Sequence, residues 1–221
     1  MAGRRVGRML LKTSMHVPSQ QRFRFVDFHS YPDLTADPVL MDQLVDAYQR
    51  IFGDPDGWAE EYSPEDVRQK LQTELAGQAR LRVCLDEEAR IAGFCWAQVL
   101  DIGGIVDAIE TIKYYRSIGS PDVAVPLRER FGARRVIYLH DLGIDPGSRG
   151  RIPLTQLIYP VLDSLAERSG IGTVLFWSVA DTNVSRLAKR ALFHRILALE
   201  EMRFYSGDIG ASRTRPGGFG S

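Results

Sequence analysis

The chain of 221 residues is 44% hydrophobic, enough for one sizeable core. It carries 28 Lys+Arg against 28 Asp+Glu, a formal net charge of zero, which argues against a general nucleic-acid binder. No apolar run approaches the roughly 20 residues that span a bilayer, and no Cys or His stands at metal-ligand spacing from Cys84 or Cys95, so neither a membrane nor a metal is expected.

Arg4, Arg5, Arg8 and Lys12 precede the first acidic residue, Asp27. A mitochondrial-type leader has that look; a disordered basic tail over residues 1–20 of a cytoplasmic protein is the reading adopted. R-F-R-F-V-D-F, residues 22–28, alternates as a first strand. Residues 37–52 have helical periodicity, with Asp37 as cap, Pro38 in the first turn and Gly53 as a stop. The loop G-D-P-D-G-W-A-E-E-Y follows. Ser63, Pro64 and Asp66 then open a second helix running to about Leu75.

Residues 81–85 and 91–99 form a hairpin joined by D-E-E-A-R. Its strands carry Cys84 and Cys95, read as free buried thiols of a reducing compartment. Residues 101–135 are an insert holding a short helix over 106–116. V-I-Y-L-H-D-L-G-I-D-P is an apolar strand, followed by a helix from about Pro153 to Ser169 and a buried strand over 173–180. D-T-N-V-S opens another helix, E-E-M-R-F-Y-S is a last strand, and residues 207–221 are a disordered tail. The order is that of one α/β domain over residues 21–206 with a mixed sheet.

The turn S-R-G-R-I-P-L-T-Q-L, Ser148 to Leu157, reads as an anion cradle. A helix N-terminus offers unpaired N–H groups and partial positive charge, Gly150 permits a tight turn, and Arg149 and Arg151 pair with phosphate oxygens. An ordinary helix start with solvated arginines reads equally well from these residues alone.

Y-L-H-D-L-G-I-D-P-G-S-R-G-R, Tyr138 to Arg151, widens the context. With it, residues 22–206 resemble the GNAT superfamily of acyl-CoA-dependent N-acyltransferases. Leu142, Ile144, Pro146 (one place early), Arg149 and Gly150 fit the family pattern, as do the strand G-I-G-T-V-L-F-W-S-V and Asn183 after it. The family's two later glycines fall on Ile152 and Leu154, and Pro153 between them has no N–H to donate.

The resemblance implies a GNAT fold with a splayed, bulged fourth strand, and direct transfer of an acetyl or other acyl group from acyl-CoA to a primary amine of a small molecule or peptide, without a metal. It implies a strand bulge freeing N–H groups at Leu142, Gly143 and Ile144, and a cofactor site completed by Arg149, Gly150, Arg151, Ile152, Pro153, Leu154 and Asn183. Alternation places Tyr138, His140 and Leu142 on one face. His140 is the candidate base with Tyr138 beside it, and Asp141 points the other way. Phe193 falls where a family Tyr donates a proton. The acceptor site is expected from Trp58, Glu60, Glu61 and Tyr62 in the loop and from Glu110, Tyr114 and Tyr115 in the insert. Two rivals stay open: a non-catalytic acyl-CoA-binding or interaction module with a decayed cradle, and an acetyltransferase acting on a protein or aminoacyl-tRNA. A homodimer is compatible with all three.

Overall fold

A computed structural model describes residues 22–55, 59–180, 188 and 193–209. Its centre is one seven-stranded sheet in the order β1-β2-β3-β4-β5-β7-β6. The strands are β1 (Arg24–Phe28), β2 (Ala79–Leu85), β3 (Ile91–Leu100), β4 (Val136–Ile144), β5 (Thr173–Val179), β6 (His194–Leu199) and β7 (Met202–Asp208). Only β4 and β5 run parallel; the other neighbours are antiparallel.

One face carries α1 (Tyr31–Thr35), α2 (Pro38–Phe52) and α3 (Pro64–Glu74). Asp37 caps α2 by accepting from Leu40 N–H, and Ser63 with Asp66 forms a reciprocal capping box on α3. Their apolar stripes bury against Leu81, Val83, Phe94 and Trp96. The opposite face carries α7 (Leu154–Ser169), whose Leu157, Val161, Leu162 and Leu165 pack on Cys95, Ala97, Ile137 and Val174. The insert folds as α4 (Ile102–Glu110), α5 (Lys113–Ser117) and α6 (Ala124–Phe131) and has its own core, with Ile105, Ile109 and Leu127 against Tyr138, Leu175 and Phe204.

Three local expectations change. The single helix over 106–116 is two helices, because Asp101 caps the chain five residues earlier and the run stops at Thr111. The strand β6 is not expected from the sequence; it is the edge strand of a hairpin with β7 and buries none of its residues fully, so no apolar alternation marks it. The short α1, capped by Ser30, was also not foreseen. Asn183, Trp58, the helix opened by D-T-N-V-S and the basic N-terminal segment lie outside the described residues. Among the described residues no helix is long and apolar enough to cross a membrane, and no His, Cys, Asp and Glu group could hold a metal.

Gly143 is held for packing. A Cβ there would lie 2.4 Å from Cζ of Phe94, and Phe94 is wedged between Tyr48 and Trp96. Gly143→Ala should destabilise the fold by about 1–3 kcal/mol through overpacking, measured by urea unfolding, and Phe94→Leu in the same chain should return part of it. Cys84 and Cys95 are free and buried, and burial pushes the Cys84 thiol up to about 12. Thiol titration should find neither in the native protein and both after denaturation without reductant.

Candidate active site

The site begins with a miscount between two strands. Trp96 pairs with Asp141 and Ala97 with Leu139, so His140 is an extra residue on β4. This is a β-bulge, and it resets the alternation. Tyr138, His140 and Asp141 all turn to the α3 face, while Leu139 and Leu142 turn to the α7 face. Two expectations are thereby corrected: Asp141 shares the face of His140, and Leu142 does not. The bulge also lies two residues before its expected place. Leu142, Gly143 and Ile144 pair regularly with Cys95, Phe94 and Gly93.

Beyond the bulge β4 parts from β5. The two strands pair only at Ile137–Val174 and Tyr138–Leu175, because a bulged strand bends and twists away from its neighbour. Alternate N–H groups of β4 past Tyr138 therefore face a gap instead of a ladder.

A polar network lies on the α3 side of that gap. Val67, Leu71 and Glu74 form the buried stripe of α3, so a carboxylate enters the interior in a position suited to Leu or Ile. Glu74 is fully partnered: Oε1 meets Lys70 Nζ at 2.5 Å, and Oε2 accepts from Trp96 Nε1 at 2.7 Å and lies 3.4 Å from His140 Nδ1. Lys70 Nζ also reaches Asp141 Oδ2 at 3.2 Å, and the Tyr48 hydroxyl donates to the same oxygen at 3.4 Å. Burial raises the Glu74 pKa, but His140 and Lys70 outweigh it and hold the carboxyl well below its usual range. Burial lowers Lys70, but Asp141 and Glu74 outweigh it and hold the ammonium above its ordinary value. For Asp141, burial prevails and the carboxyl is raised, with Lys70 opposing.

His140 is part of this scaffold. Its side chain is 2% exposed, and its Nε2 lies 3.2 Å from Gln98 Oε1. The Gln98 amide is oriented by donating Nε2–H to Ala76 O. Both ring nitrogens thus face acceptor oxygens, an arrangement suited to donating protons. Tyr138 is 1% exposed, inside the insert's core, and burial drives its phenol well up. Tyr138 does not line the cavity at the gap, whereas His140 does, with both ring nitrogens turned to protein oxygens.

Asp141 lines, beside His140, a cavity of about 110 Å³ with Tyr48, Glu60, Tyr62, Lys70, Trp177 and Ser178. Of the expected acceptor residues, Tyr62 is there. Glu60, also expected, is there too, accepting from Tyr62 O–H at 2.6 Å and from Tyr114 N–H at 2.7 Å. Glu61 is exposed, and Glu110 faces solvent at the end of α4 because Ile102, Ile105, Val106 and Ile109 are that helix's buried side. Tyr115 is core. Tyr114 is not among the lining residues but stacks on one of them, Trp177. Lys70 and Glu74 were missed, although their i,i+4 spacing beside Val67 and Leu71 is the signal for an inward ion pair.

On the α7 side, Leu139, Leu142, Ile158, Leu162, Phe176 and Phe193 line a second, apolar cavity of about 20 Å³. Leu139, Leu142 and Phe176 line both cavities, so the two meet where β4 and β5 part. At the head of α7, Gly150 takes φ +78°, the left-handed region that glycine enters freely. Pro153 is the cap residue and not the first helical one, with ψ 107° and no side-chain capping bond. The N–H groups of Leu154 and Thr155 are left as orphans of the first turn. Ile152 is buried in the core and Leu154 packs against it. Arg149 pairs with Asp54 at 3.0 Å, and the Arg151 guanidinium donates to Gly147 O.

Comparison of the sequence with protein-family models and with curated proteins gives no match. Solved structures do match. A GNAT-family acetyltransferase of Staphylococcus aureus superposes with TM-score 0.56 at 10% identity, over 85% of this chain and 99% of that one. Mosquito arylalkylamine N-acetyltransferase like 5b gives 0.55 at 15%, over 84% and 100%. Arabidopsis thaliana NAA60, solved with acetyl-CoA, gives 0.52 at 16%, over 86% and 99%. The chain has the GNAT acetyltransferase fold.

Glu74→Ala would strand Lys70, His140 and the Trp96 N–H together. It should cost about 3–5 kcal/mol in urea unfolding. Because the folded Glu74 pKa is depressed, its contribution is complete above the unfolded carboxyl value of about 4.3 and is lost as pH falls through the folded value. Glu74→Gln should therefore flatten the acid side of the stability–pH curve.

Proposed function

We propose that this chain is an N-acyltransferase that moves an acetyl group from acetyl-CoA to a primary amine of a small molecule or peptide, by direct attack in a ternary complex. The observation that carries the reading is the gap beyond Tyr138. An apolar slot and an uncapped helix N-terminus lie on one side of it, an acidic and aromatic cavity lies on the other, and the two share Leu139, Leu142 and Phe176.

The residues present fit the co-substrate. The orphan N–H groups of Leu154 and Thr155, with Gly150 ahead of them, suit a pyrophosphate, and the slot suits a thin, largely apolar arm. Acyl-CoA supplies an activated thioester carbonyl. The N–H groups of β4 that face the gap are donors for the carbonyl oxygen as it gains charge. Asp141 takes the proton of the incoming ammonium. Burial makes its carboxylate a stronger base than an exposed one, and Lys70 and Tyr48 fix its orientation. Glu60 and the faces of Tyr48, Tyr62 and Trp177 suit a cationic acceptor. The second proton of the amine nitrogen, acidic once that nitrogen has bonded the carbonyl carbon, passes to the departing thiolate, so Phe193, packed edge-on against Phe176, need not donate one. The free thiols suit a reducing compartment such as the cytoplasm.

One observation favours the non-catalytic rival: both cradle arginines are engaged by protein groups. Titration calorimetry decides. Acetyl-CoA should bind more weakly as salt rises. Arg149→Ala with Arg151→Ala should weaken binding further, each charge-assisted contact being worth roughly 1.5–3 kcal/mol. No heat at millimolar ligand gives the rival the site.

Asp141→Asn should lower kcat by roughly 10²–10⁴-fold while acetyl-CoA affinity holds. Since Asp141 must be ionised to accept a proton and its pKa is raised, kcat/KM should climb with pH above the ordinary carboxylate range. The variant should lose that limb.

A further inference from the structure

The insert before β4 makes contacts that its own core does not require. Tyr114, in α5, joins both flanks of the acceptor cavity. Its backbone N–H donates to Glu60 Oε1 at 2.7 Å, on the segment between α2 and α3. Its hydroxyl donates to Glu201 Oε2 at 2.7 Å, in the turn between β6 and β7. Its ring stacks on Trp177 with centroids 6.1 Å apart and planes 12° apart. Lys113 strengthens the first anchor: Nζ donates to Glu61 O and lies 4.4 Å over the Tyr62 ring. Glu60, Tyr62 and Trp177, the residues so tied, line the cavity, as does Ile112 just ahead of α5.

We propose that this bridge roofs the acceptor cavity, so that the acceptor is a small free primary amine and not an amine carried on a polypeptide. The inference rests on the acyltransferase reading. An amine on a chain must bring its backbone across the cavity mouth and out again, and α5 spans the two elements between which that backbone would pass. Beneath the bridge, the 110 Å³ accommodates about seven to eleven water-sized groups at roughly 10–15 Å³ each, the scale of a small amine. The polar anchors match that size: two carboxylates, Glu60 tied to the bridge and Asp141 from β4, share the lining with aromatic faces that suit the ammonium. Tyr114 remains a hydrogen donor to Glu201 at neutral pH, since burial and then the Glu201 carboxylate push its phenol up to about 12.

The test compares acceptors by size. Acetyl transfer is measured, by thiol release and product mass, to propylamine, 1,4-diaminobutane, 2-phenylethylamine and a six-residue peptide with a free N-terminus and one lysine. The small amines should be acetylated with kcat/KM on the order of 100-fold above the peptide. Tyr114→Ala and, separately, Lys113→Ala should narrow that ratio by about tenfold, through gain on the peptide. Acetyl-CoA titration of each variant shows that it is folded. A wild type that takes the peptide as readily as the amines overturns the roof, as does a ratio that neither folded variant moves. If no acceptor turns over, the acyltransferase reading falls. The roof is then judged by calorimetry on protein saturated with CoA: heat from the small amines and none from the peptide supports it, and equal heats overturn it.

Discussion

One surplus residue in β4 sets the geometry of both sites. A regular β4 would hydrogen-bond along β5 for its length and close the sheet. With His140 unpaired, the strand bends, the ladder to β5 ends at Tyr138, and a slot opens through the sheet. The same excess residue puts His140 and Asp141 side by side on the α3 face. Two features that the proposed chemistry needs, an opening through the sheet and a carboxylate beside it, thus have one backbone cause.

Placing a carboxylate and an imidazole together in an interior is costly unless each is paired. The chain meets that cost with α3, whose Lys70 and Glu74 are one turn apart on an otherwise apolar stripe. Glu74 takes three partners from three elements: Lys70 from α3, Trp96 from β3 and His140 from β4. Lys70 divides its charge between Glu74 and Asp141. The outcome is unequal. Glu74 is held ionised as a structural anion, whereas Asp141, with less compensation and access to the cavity, retains a raised proton affinity. Two carboxylates near one ammonium acquire different roles through their surroundings.

The cradle shows a second compromise. Ile152 and Leu154 supply core contacts to α7 where smaller residues would leave the turn open, and Pro153 gives up a donor. The helix N-terminus nonetheless stays uncapped, with Leu154 and Thr155 N–H groups exposed to an anion. Arg149 rests on Asp54 and Arg151 on Gly147, so phosphate contacts must compete with these existing pairs.

The sequence by itself determined most of the elements and their order, though not α1, β6 or the division of the insert's helices. Asp37, Ser63 with Asp66, and the alternating and periodic apolar runs act within a few residues, and they placed α2, α3, the β2–β3 hairpin, β4, α7 and β5. The motif from Leu142 to Gly150 pointed to the GNAT fold that the solved structures bear out. Tertiary structure decided which side chains meet. Strict alternation assigned Asp141 to the wrong face, because a bulge is a mismatch between two strands and is invisible in either alone. Glu60 rather than Glu61 reached the cavity because Tyr62 and Tyr114, 52 positions apart, both donate to it. Lys70, Glu74 and His140 became one network because α3 docks over the bulge. Helix and strand signals are local in the chain, while pairing register, burial of charge and the roof over a cavity depend on residues brought together only when the sheet closes.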